Sequence, residues 1–178
     1  MLTRRVVIHV AAVLLICAIA LGVHSAASNV APPLAADVRA DSLLVVKSRH
    51  ELVVFAHGMV AKRYAVALGR GGAGDKVREG DGKVPEGRFT IDEHVARSAF
   101  HRALHVSYPD SAHAARARAM GVPPGGHIMV HGLKNGLGIV GGLHRTMDWT
   151  AGCVALTDPE IEELFRAVPD GTPIVLAP

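Results

Sequence analysis

Short apolar runs, separated by polar or glycine-containing breaks, occupy much of the chain after residue 41. Two of them, Leu43–Lys47 and Leu52–Ala56, are divided by Ser48-Arg49-His50, a pattern that predicts a β-hairpin. Three further runs predict strands: residues 61–68, 128–130 and 174–176. The alternation of apolar runs and breaks therefore predicts a domain that consists mainly of strands.

Two stretches predict helices instead. Asp110 can cap residues 111–120, an alanine- and arginine-rich run that ends before Gly121. Asp158 and Pro159 suit the N-cap and first helical positions of the second helix. Its apolar residues follow at helical spacing and predict one buried face: Ile161, Leu164, Phe165 and Val168. We therefore expect a mainly β (α+β) fold with two peripheral helices.

The first 27 residues have the layout of an export signal. Arg4 and Arg5 precede an almost wholly apolar run, residues 6–23, and small residues follow it, which favours cleavage after Ala27. An uncleaved membrane anchor is the alternative, because 18 residues reach the lower limit for spanning a bilayer. In both cases we expect an exported protein of the periplasm or cell envelope, attached to the inner membrane if the segment is retained.

The remaining chain has the size of one domain. Residues 28–40, with two adjacent prolines, predict a linker, and residues 41–178 predict the domain itself. Loss of Arg4 and Arg5 lowers the formal net charge from +3 to +1. The other basic residues are scattered and only 4% of all residues are aromatic, so the sequence argues against nucleic-acid binding.

Cys153 is the one cysteine that lies outside the predicted export signal, which contains Cys17. Exported proteins normally pair their cysteines, so a single thiol after Gly152 indicates chemistry. We interpret Cys153 as a nucleophile and His131, which follows the predicted strand 128–130, as its base. Backbone N–H groups around the thiol can stabilise an oxyanion. A buried, inert cysteine is the alternative interpretation.

The pairing of Cys153 with His131 carries an expectation about reactivity. A histidine that accepts the thiol proton also attracts the resulting thiolate. We therefore expect Cys153 to be alkylated faster than a free thiol at about pH 6.

Three ordered motifs resemble the L,D-transpeptidase (YkuD-like) catalytic domain. Val84-Pro85-Glu86-Gly87-Arg88-Phe89 is similar to that family's Thr-Pro-x-Gly-x-Phe/Tyr signature. His131-Gly132, followed by Thr150-Ala151-Gly152-Cys153, resembles its His-Gly and Ser/Thr-x-Gly-Cys pair. Residues 100–109, which end in Tyr-Pro, resemble a segment of the murein-type branch. The resemblance extends over residues 43–176.

The resemblance implies a β-sandwich-like catalytic domain that acts on peptidoglycan stem peptides and needs neither a metal nor an organic cofactor. Cys153 would attack the carbonyl of an L-centre followed by a D-residue, and an acceptor amine would resolve the thioester into an L,D cross-link. His131 would take the thiol proton and return it to the leaving amine. Gly132, Thr150 and Gly152 belong to the matching motifs.

Two positions depart from the family pattern. Many members have His where this chain has Ala151, and Arg or Asn where it has Ala155. These losses raise the alternative that water replaces the acceptor amine, which would make the protein an L,D-carboxypeptidase or an amidase. A non-catalytic binding module of the envelope is a further alternative. A sortase-like transpeptidase is disfavoured, because that family has Thr-Leu-x-Thr-Cys followed by arginine.

Other polar residues are candidate substrate contacts. Arg145 can hold a substrate carboxylate through paired N–H donors, or be a solvated loop residue. His144 can act as a second base, and Tyr108 can line the donor groove or be structural. His101 and His105 have a spacing that suits a metal on a helix, but they lie in a strand-like run, so we predict no metal site.

Overall fold

The computed structural model describes residues 32–178, so the predicted export signal lies outside the described residues. Within this range the chain forms eight strands: β1 (Ser42–Val46), β2 (Glu51–Ala56), β3 (Met59–Ala65), β4 (Gly87–Ser98), β5 (His101–Val106), β6 (Met129–His131), β7 (Val154–Ala155) and β8 (Pro173–Ala177). It also forms two α-helices, α1 (Ser111–Ala119) and α2 (Asp158–Ala167), and two 3-10 segments, Lys47–Arg49 and Gly138–Thr146. None of the helices in residues 32–178 is long and apolar enough to cross a membrane.

The eight strands belong to one curled sheet with the order β3-β2-β1-β8-β4-β5-β6-β7. The pairs β1–β8 and β6–β7 are parallel, and the others are antiparallel. The first residues of β4 pair with β8 and the later ones with β5, so this long strand continues from one half of the sheet into the other. Two bridges, Ala67–Ala155 and Gly69–Thr150, join the segment after β3 to the opposite end of the sheet. The mainly β, sandwich-like prediction is confirmed.

The apolar side chains of both halves of the sheet meet in one core. It includes Leu43 of β1, Ile91 of β4 and Leu104 of β5, all fully buried. Helix α2 adds Ile161 and Leu164 to this cluster. Burial of each such side chain stabilises the fold by about 1.5 to 3 kcal/mol.

Both predicted helices are present, and their first turns differ in how well the sequence predicts them. The Asp110 side chain accepts a hydrogen bond from the backbone N–H of His113 at 2.8 Å, so it caps α1 as predicted. The predicted N-cap of α2 is wrong by one residue. Thr157 is the cap, and both its N–H and its hydroxyl donate to Glu160 Oε2, at 3.0 and 2.7 Å. A Thr-x-x-Glu capping box therefore replaces the Asp-Pro start.

The segment before β1 contacts the domain from Leu34 onward. Leu34 is buried, its N–H donates to Glu163 Oε2 at 2.9 Å, and its carbonyl accepts from Arg166 at 2.8 Å. The backbone N–H of Ala40 donates to Ala167 O at 2.7 Å. Residues 34–178 accordingly form one compact unit.

Candidate active site

His131, the last residue of β6, and Cys153, the residue directly before β7, lie on the same face of these two neighbouring parallel strands. Strands β6 and β7 pair in a register that sets Val130 opposite Val154 and His131 opposite Ala155. Val130 and Val154 are buried in the core. Because side chains alternate along a strand, His131 and Cys153 project from the other face. Both line the same cavity there, so the structure brings together the two residues that the sequence predicted as nucleophile and base.

This cavity has a volume of about 770 Å³ and mostly apolar walls. The rings of Phe100 and Trp149 lie beside the His131 ring, with centroid distances of 4.6 and 5.8 Å. Two cationic side chains that are exposed to solvent, Arg70 and Lys134, belong to its outer lining. The arrangement suits a ligand that is mostly uncharged and carries anionic groups near these two cations.

The His131 ring is oriented by its neighbour in the chain. Its Nδ1 lies 2.7 Å from Gly132 O, so the Nδ1–H donates to that carbonyl and Nε2 keeps an available lone pair. Burial lowers the pKa of His131, and the Gly132 carbonyl opposes this effect only in part. The imidazole is therefore neutral at neutral pH and ready to accept a proton through Nε2.

The Cys153 thiol is also neutral. Burial raises the pKa of Cys153, against the opposing effects of the Met129 backbone N–H and the Lys76 charge. Its Sγ lies 3.6 Å from His127 O, within range for the S–H to donate to that carbonyl. Burial disfavours the charged forms of both Cys153 and His131, so the resting pair is not a thiolate and an imidazolium. This is opposite to the expectation of fast alkylation at low pH.

The backbone around the thiol is fixed by Thr150. Its buried Oγ1 accepts hydrogen bonds from the N–H groups of Gly152 and Cys153, at 3.2 and 2.9 Å. These two amides therefore already have an acceptor, unlike the free donors expected from the sequence. The Met129 N–H is the backbone group that acts on the thiol, and its effect lowers the pKa of Cys153. Gly152 has a φ of 131°, and a Cβ there would lie 2.7 Å from Lys83 O, so only glycine fits.

Sequence reasoning overlooked several residues that line the cavity. His127 and Met129 precede His131 at intervals of two, which is the strand period and could have indicated a shared face. Arg70 had no such signal, because it follows β3 far from Cys153 in the sequence, and Lys134 had none because it lies outside the strands. The bridge between Gly69 and Thr150 brings Arg70 next to the turn that carries Cys153.

The cover segment, residues 137–147, extends over the cavity between β6 and β7. Within it, His144 is buried and lines the cavity, and its Nδ1 lies 3.4 Å from the indole N–H of Trp149. The neighbouring Arg145 forms an ion pair with Glu160 at the start of α2. The charge proposed to hold a substrate carboxylate is thus already compensated, and Arg145 serves to fasten the cover segment to α2.

The structure puts Tyr108 away from the cavity. The side chain is buried, its hydroxyl donates to Pro124 O at 3.0 Å, and its ring meets Phe89 edge-on at 6.0 Å. Burial raises the pKa of Tyr108 to about 12. The geometry agrees with the structural alternative for this residue.

Comparisons with known proteins agree with the family resemblance seen in the sequence. A family model described as the L,D-transpeptidase catalytic domain (YkuD) matches residues 40–176. The chain is 29% identical over 107 residues to a protein of Escherichia coli named putative L,D-transpeptidase YafK. That match covers 59% of this chain and 36% of the relative, so the chain spans little more than a third of the relative's length.

Two solved structures share the fold. One is the helical cell shape determining protein Pgp2 from Campylobacter jejuni, with a TM-score of 0.60 and 23% identity, over 79% of this chain and 48% of that one. The other is an L,D-transpeptidase from Mycobacterium smegmatis, with a TM-score of 0.53 and 15% identity, over 78% and 59% of the two chains. At these identities the similarity concerns the fold alone.

Proposed function

Since the chain belongs to the family of L,D-transpeptidase catalytic domains, we propose that it transfers acyl groups of peptidoglycan stem peptides, with Cys153 as nucleophile and His131 as base. The observation that carries the proposal is the shared face of β6 and β7, from which both side chains enter one cavity. The tautomer of His131 supports it further, because the Gly132 carbonyl holds the ring with Nε2 available.

The reaction begins from a neutral pair. As the Cys153 sulfur attacks the scissile carbonyl carbon, its proton moves to His131 Nε2, so no isolated charge forms before the S–C bond does. The Met129 N–H, which lowers the pKa of Cys153, is the donor that we assign to the negative charge that develops. His131 then returns the proton to the leaving amine, and the acyl group remains on sulfur as a thioester.

The thioester is resolved by an amine or by water. An amine of a neighbouring stem, deprotonated by His131, forms the L,D cross-link and restores the thiol. Hydrolysis by an L,D-carboxypeptidase or amidase is a second candidate, which the side chains around the cysteine favour. Ala151 is exposed and lines the cavity, so no polar group stands there to hold an acceptor amine.

The proposed site of action is the cell envelope. The export signal or membrane anchor predicted for residues 1–27 agrees with a substrate in the periplasm, and retention of that segment would attach the domain to the inner membrane. The family that the chain belongs to supports the same location. The mostly apolar cavity with Arg70 and Lys134 at its rim suits a peptide that carries carboxylates.

The test is direct. Purified residues 28–178 are incubated with defined muropeptides, with and without an added acceptor stem, and the products are identified by mass. We expect a loss of the terminal D-amino acid together with L,D-linked dimers or shortened stems, and no product from Cys153→Ala. An unchanged muropeptide mixture, with a thiol that still reacts with iodoacetamide, would contradict the proposed substrate.

A further inference from the structure

Two permanent cations line the cavity without an acidic partner. Arg70 and Lys134 are both exposed to solvent, and no carboxylate of residues 32–178 forms an ion pair with either side chain. The residues of the described chain that line the cavity include no Asp or Glu. The charge of the cavity is therefore positive, and its complement is a carboxylate of the ligand.

The segment that carries Arg70 is bound to the turn of the proposed nucleophile. The Arg70 N–H donates to Thr150 O at 3.0 Å, and Gly69 forms a bridge with Thr150. A Cβ at Gly69 would lie 3.0 Å from the Cα of Gly152, so the absence of a side chain allows this approach. The stem of the Arg70 side chain lies against Gly82, where a Cβ would come within 3.2 Å of Arg70 Cγ. Backbone contacts therefore fix the position of Arg70 relative to the thiol.

Arg70 and His131 lie on opposite sides of Cys153. Strand β7 pairs with β6 on one side, with Ala155 opposite His131. On its other side Ala155 exchanges two backbone hydrogen bonds with Ala67. The segment from residue 67 to Arg70 accordingly borders β7 on the side away from His131. The guanidinium and the imidazole thus approach the thiol from different directions.

The proposed reaction assigns one half of the donor peptide to each side. His131 returns a proton to the leaving amine, so the leaving D-residue and its terminal carboxylate lie on the side of His131, where Lys134 follows β6. The acyl half, which stays on the sulfur, extends away from His131 and toward Arg70. A carboxylate beside Arg70 therefore belongs to the residue whose carbonyl is attacked.

We propose that Arg70 binds the side-chain carboxylate of the residue whose carbonyl Cys153 attacks, and thereby selects stem peptides whose third residue is a diaminodicarboxylic acid. The inference rests on the proposed function, because it takes a stem peptide as the donor. An arginine can hold a carboxylate through two parallel N–H donors. A lysine in the stem brings an ammonium without a carboxylate, and the cavity lining contains no acid to pair with it. Stems with lysine, or with an amidated carboxylate, are therefore poor donors.

Two synthetic tetrapeptides that differ in one group provide the test. Both have the sequence L-Ala-γ-D-Glu-diaminopimelate-D-Ala, and in the second the side-chain carboxylate of the third residue is an amide. Release of D-Ala by the purified domain, through transfer or hydrolysis, is measured as kcat/KM. We expect the acid to be the better donor by at least about tenfold, because its charged hydrogen bonds with Arg70 are lost in the amide.

Variants of Arg70 link this preference to the guanidinium. Arg70→Met removes the charge and leaves the backbone contact with Thr150 in place. It should lower kcat/KM for the acid about tenfold and change that for the amide less than about twofold, so the preference disappears. Arg70→Lys keeps a charge without the paired donors and should retain part of the preference. Arg118→Met is the matched control, because Arg118 is an exposed arginine of α1 outside the cavity, and it should keep the parent's preference.

Lys134→Met distinguishes the two sides of the cavity. Both tetrapeptides keep the terminal carboxylate of D-Ala, so the loss of this cation should lower kcat/KM for both by a similar factor and leave the preference intact. A preference that is lost in Lys134→Met and kept in Arg70→Met would overturn the assignment.

The two hypotheses fail in different ways. Equal turnover of the two tetrapeptides by the parent, or an unchanged preference in Arg70→Met, overturns the role of Arg70 and leaves the proposed function standing. A parent protein that releases no D-Ala from either peptide overturns both. The comparison of the two peptides with the parent needs no variant, so the inference can fail even if Arg70→Met does not fold.

Discussion

The Thr150 hydroxyl is hydrogen-bonded to both ends of Cys153. It accepts from the Cys153 N–H at 2.9 Å and donates to the Cys153 carbonyl at 2.8 Å. Thr150 is itself buried, with 3% of its surface exposed. One side chain three residues earlier therefore fixes the backbone that carries the proposed nucleophile, which gives a physical reason for a hydroxyl residue at this position.

Thr150→Val should damage both stability and turnover. The substitution keeps the shape but leaves two buried N–H groups without an acceptor, which should lower the free energy of unfolding by about 2 to 4 kcal/mol. The released turn would misplace the thiol, and we expect kcat/KM to fall about 100-fold. Urea unfolding and muropeptide turnover measure the two effects.

Thr172→Val is the control for this substitution. Thr172 is also buried, and its hydroxyl donates to Pro169 O at 2.7 Å, in a turn before β8. It should lose about 1 kcal/mol of stability and keep its activity. If both variants lost activity in proportion to their loss of stability, Thr150 would support the fold as a whole and would not specifically position Cys153.

Cys153→Ala should remove turnover and leave the fold intact. The sulfur is the proposed nucleophile, and its loss creates only a small cavity on a half-buried wall, so stability should change by less than about 1 kcal/mol. Mass analysis of treated muropeptides and circular dichroism are the measurements. Product formed by the purified variant at more than a trace of the parent's rate would mean that Cys153 is not the nucleophile.

Alkylation should report the neutral state of the pair. Burial raises the pKa of the Cys153 thiol, so iodoacetamide should modify it more slowly than glutathione at about pH 6, and its rate should keep rising at a pH where the free thiol has levelled off. Rate measurements across the pH range decide this. A rate above that of glutathione at about pH 6 would restore the thiolate interpretation.

His131→Ala should separate thiol reactivity from catalysis. In strongly alkaline buffer hydroxide removes the thiol proton, so alkylation should persist without the base. Turnover near neutral pH should fall by at least about 100-fold, because no other group is assigned to accept the proton. A variant that kept the parent's turnover would remove His131 from the mechanism.

The stability of the domain should decline as the pH falls from 7 to 5, partly through His144. Burial lowers the pKa of His144 to about 4 in the folded protein, against about 6.5 in an unfolded chain. The unfolded state then binds more protons below about pH 6.5, so the stabilisation is complete above that pH and is lost toward pH 4. Urea unfolding of His144→Phe should show a pH dependence that is smaller by up to about 2 kcal/mol at about pH 5. Identical slopes for parent and variant would mean that His144 does not stay neutral.

Ala151→His should shift the products from hydrolysis toward cross-linking. Ala151 is exposed and lines the cavity, so a polar side chain fits there and can hold an acceptor amine. The ratio of L,D-linked dimers to shortened stems, measured by mass, should rise above that of the parent. The corresponding substitution at the second position that departs from the family pattern, Ala155→Arg, is not a useful test. Ala155 is 0% exposed and exchanges two backbone hydrogen bonds with Ala67, so an arginine there would disrupt the fold.

The parts of the fold that the sequence predicted are those where one physical signal dominates. Helix α2 has Ile161 and Leu164 at helical spacing, and both are buried as expected. Strand β4 was missed because its burial does not alternate beyond Ile91. Its later residues are mostly exposed or half-buried, although they pair with β5, so backbone pairing rather than an apolar pattern determines their conformation.

The residues of the candidate site also differ in how well the sequence predicts them. Cys153 and His131 were predictable because a thiol without a partner and a histidine after a strand are each unusual. The role of Thr150 was not, since it depends on which backbone groups its hydroxyl contacts. Arg145 shows what local sequence cannot predict. Its charge suggested a substrate contact. Its partner in the structure is Glu160, which belongs to a different element and is not indicated by the residues around Arg145.

The central position of β8 has a consequence for how this protein is made. Strand β8 lies between β1 and β4, and in the described part of the chain it joins the strands β1–β3 to the strands β4–β6. A nascent chain that still lacks them holds two separate half-sheets with open edges, and edges of this kind invite wrong pairing. Final folding therefore waits until synthesis has passed the last strand. The edge of β1 that faces β8 therefore stays open during synthesis until β8 is available to pair with it.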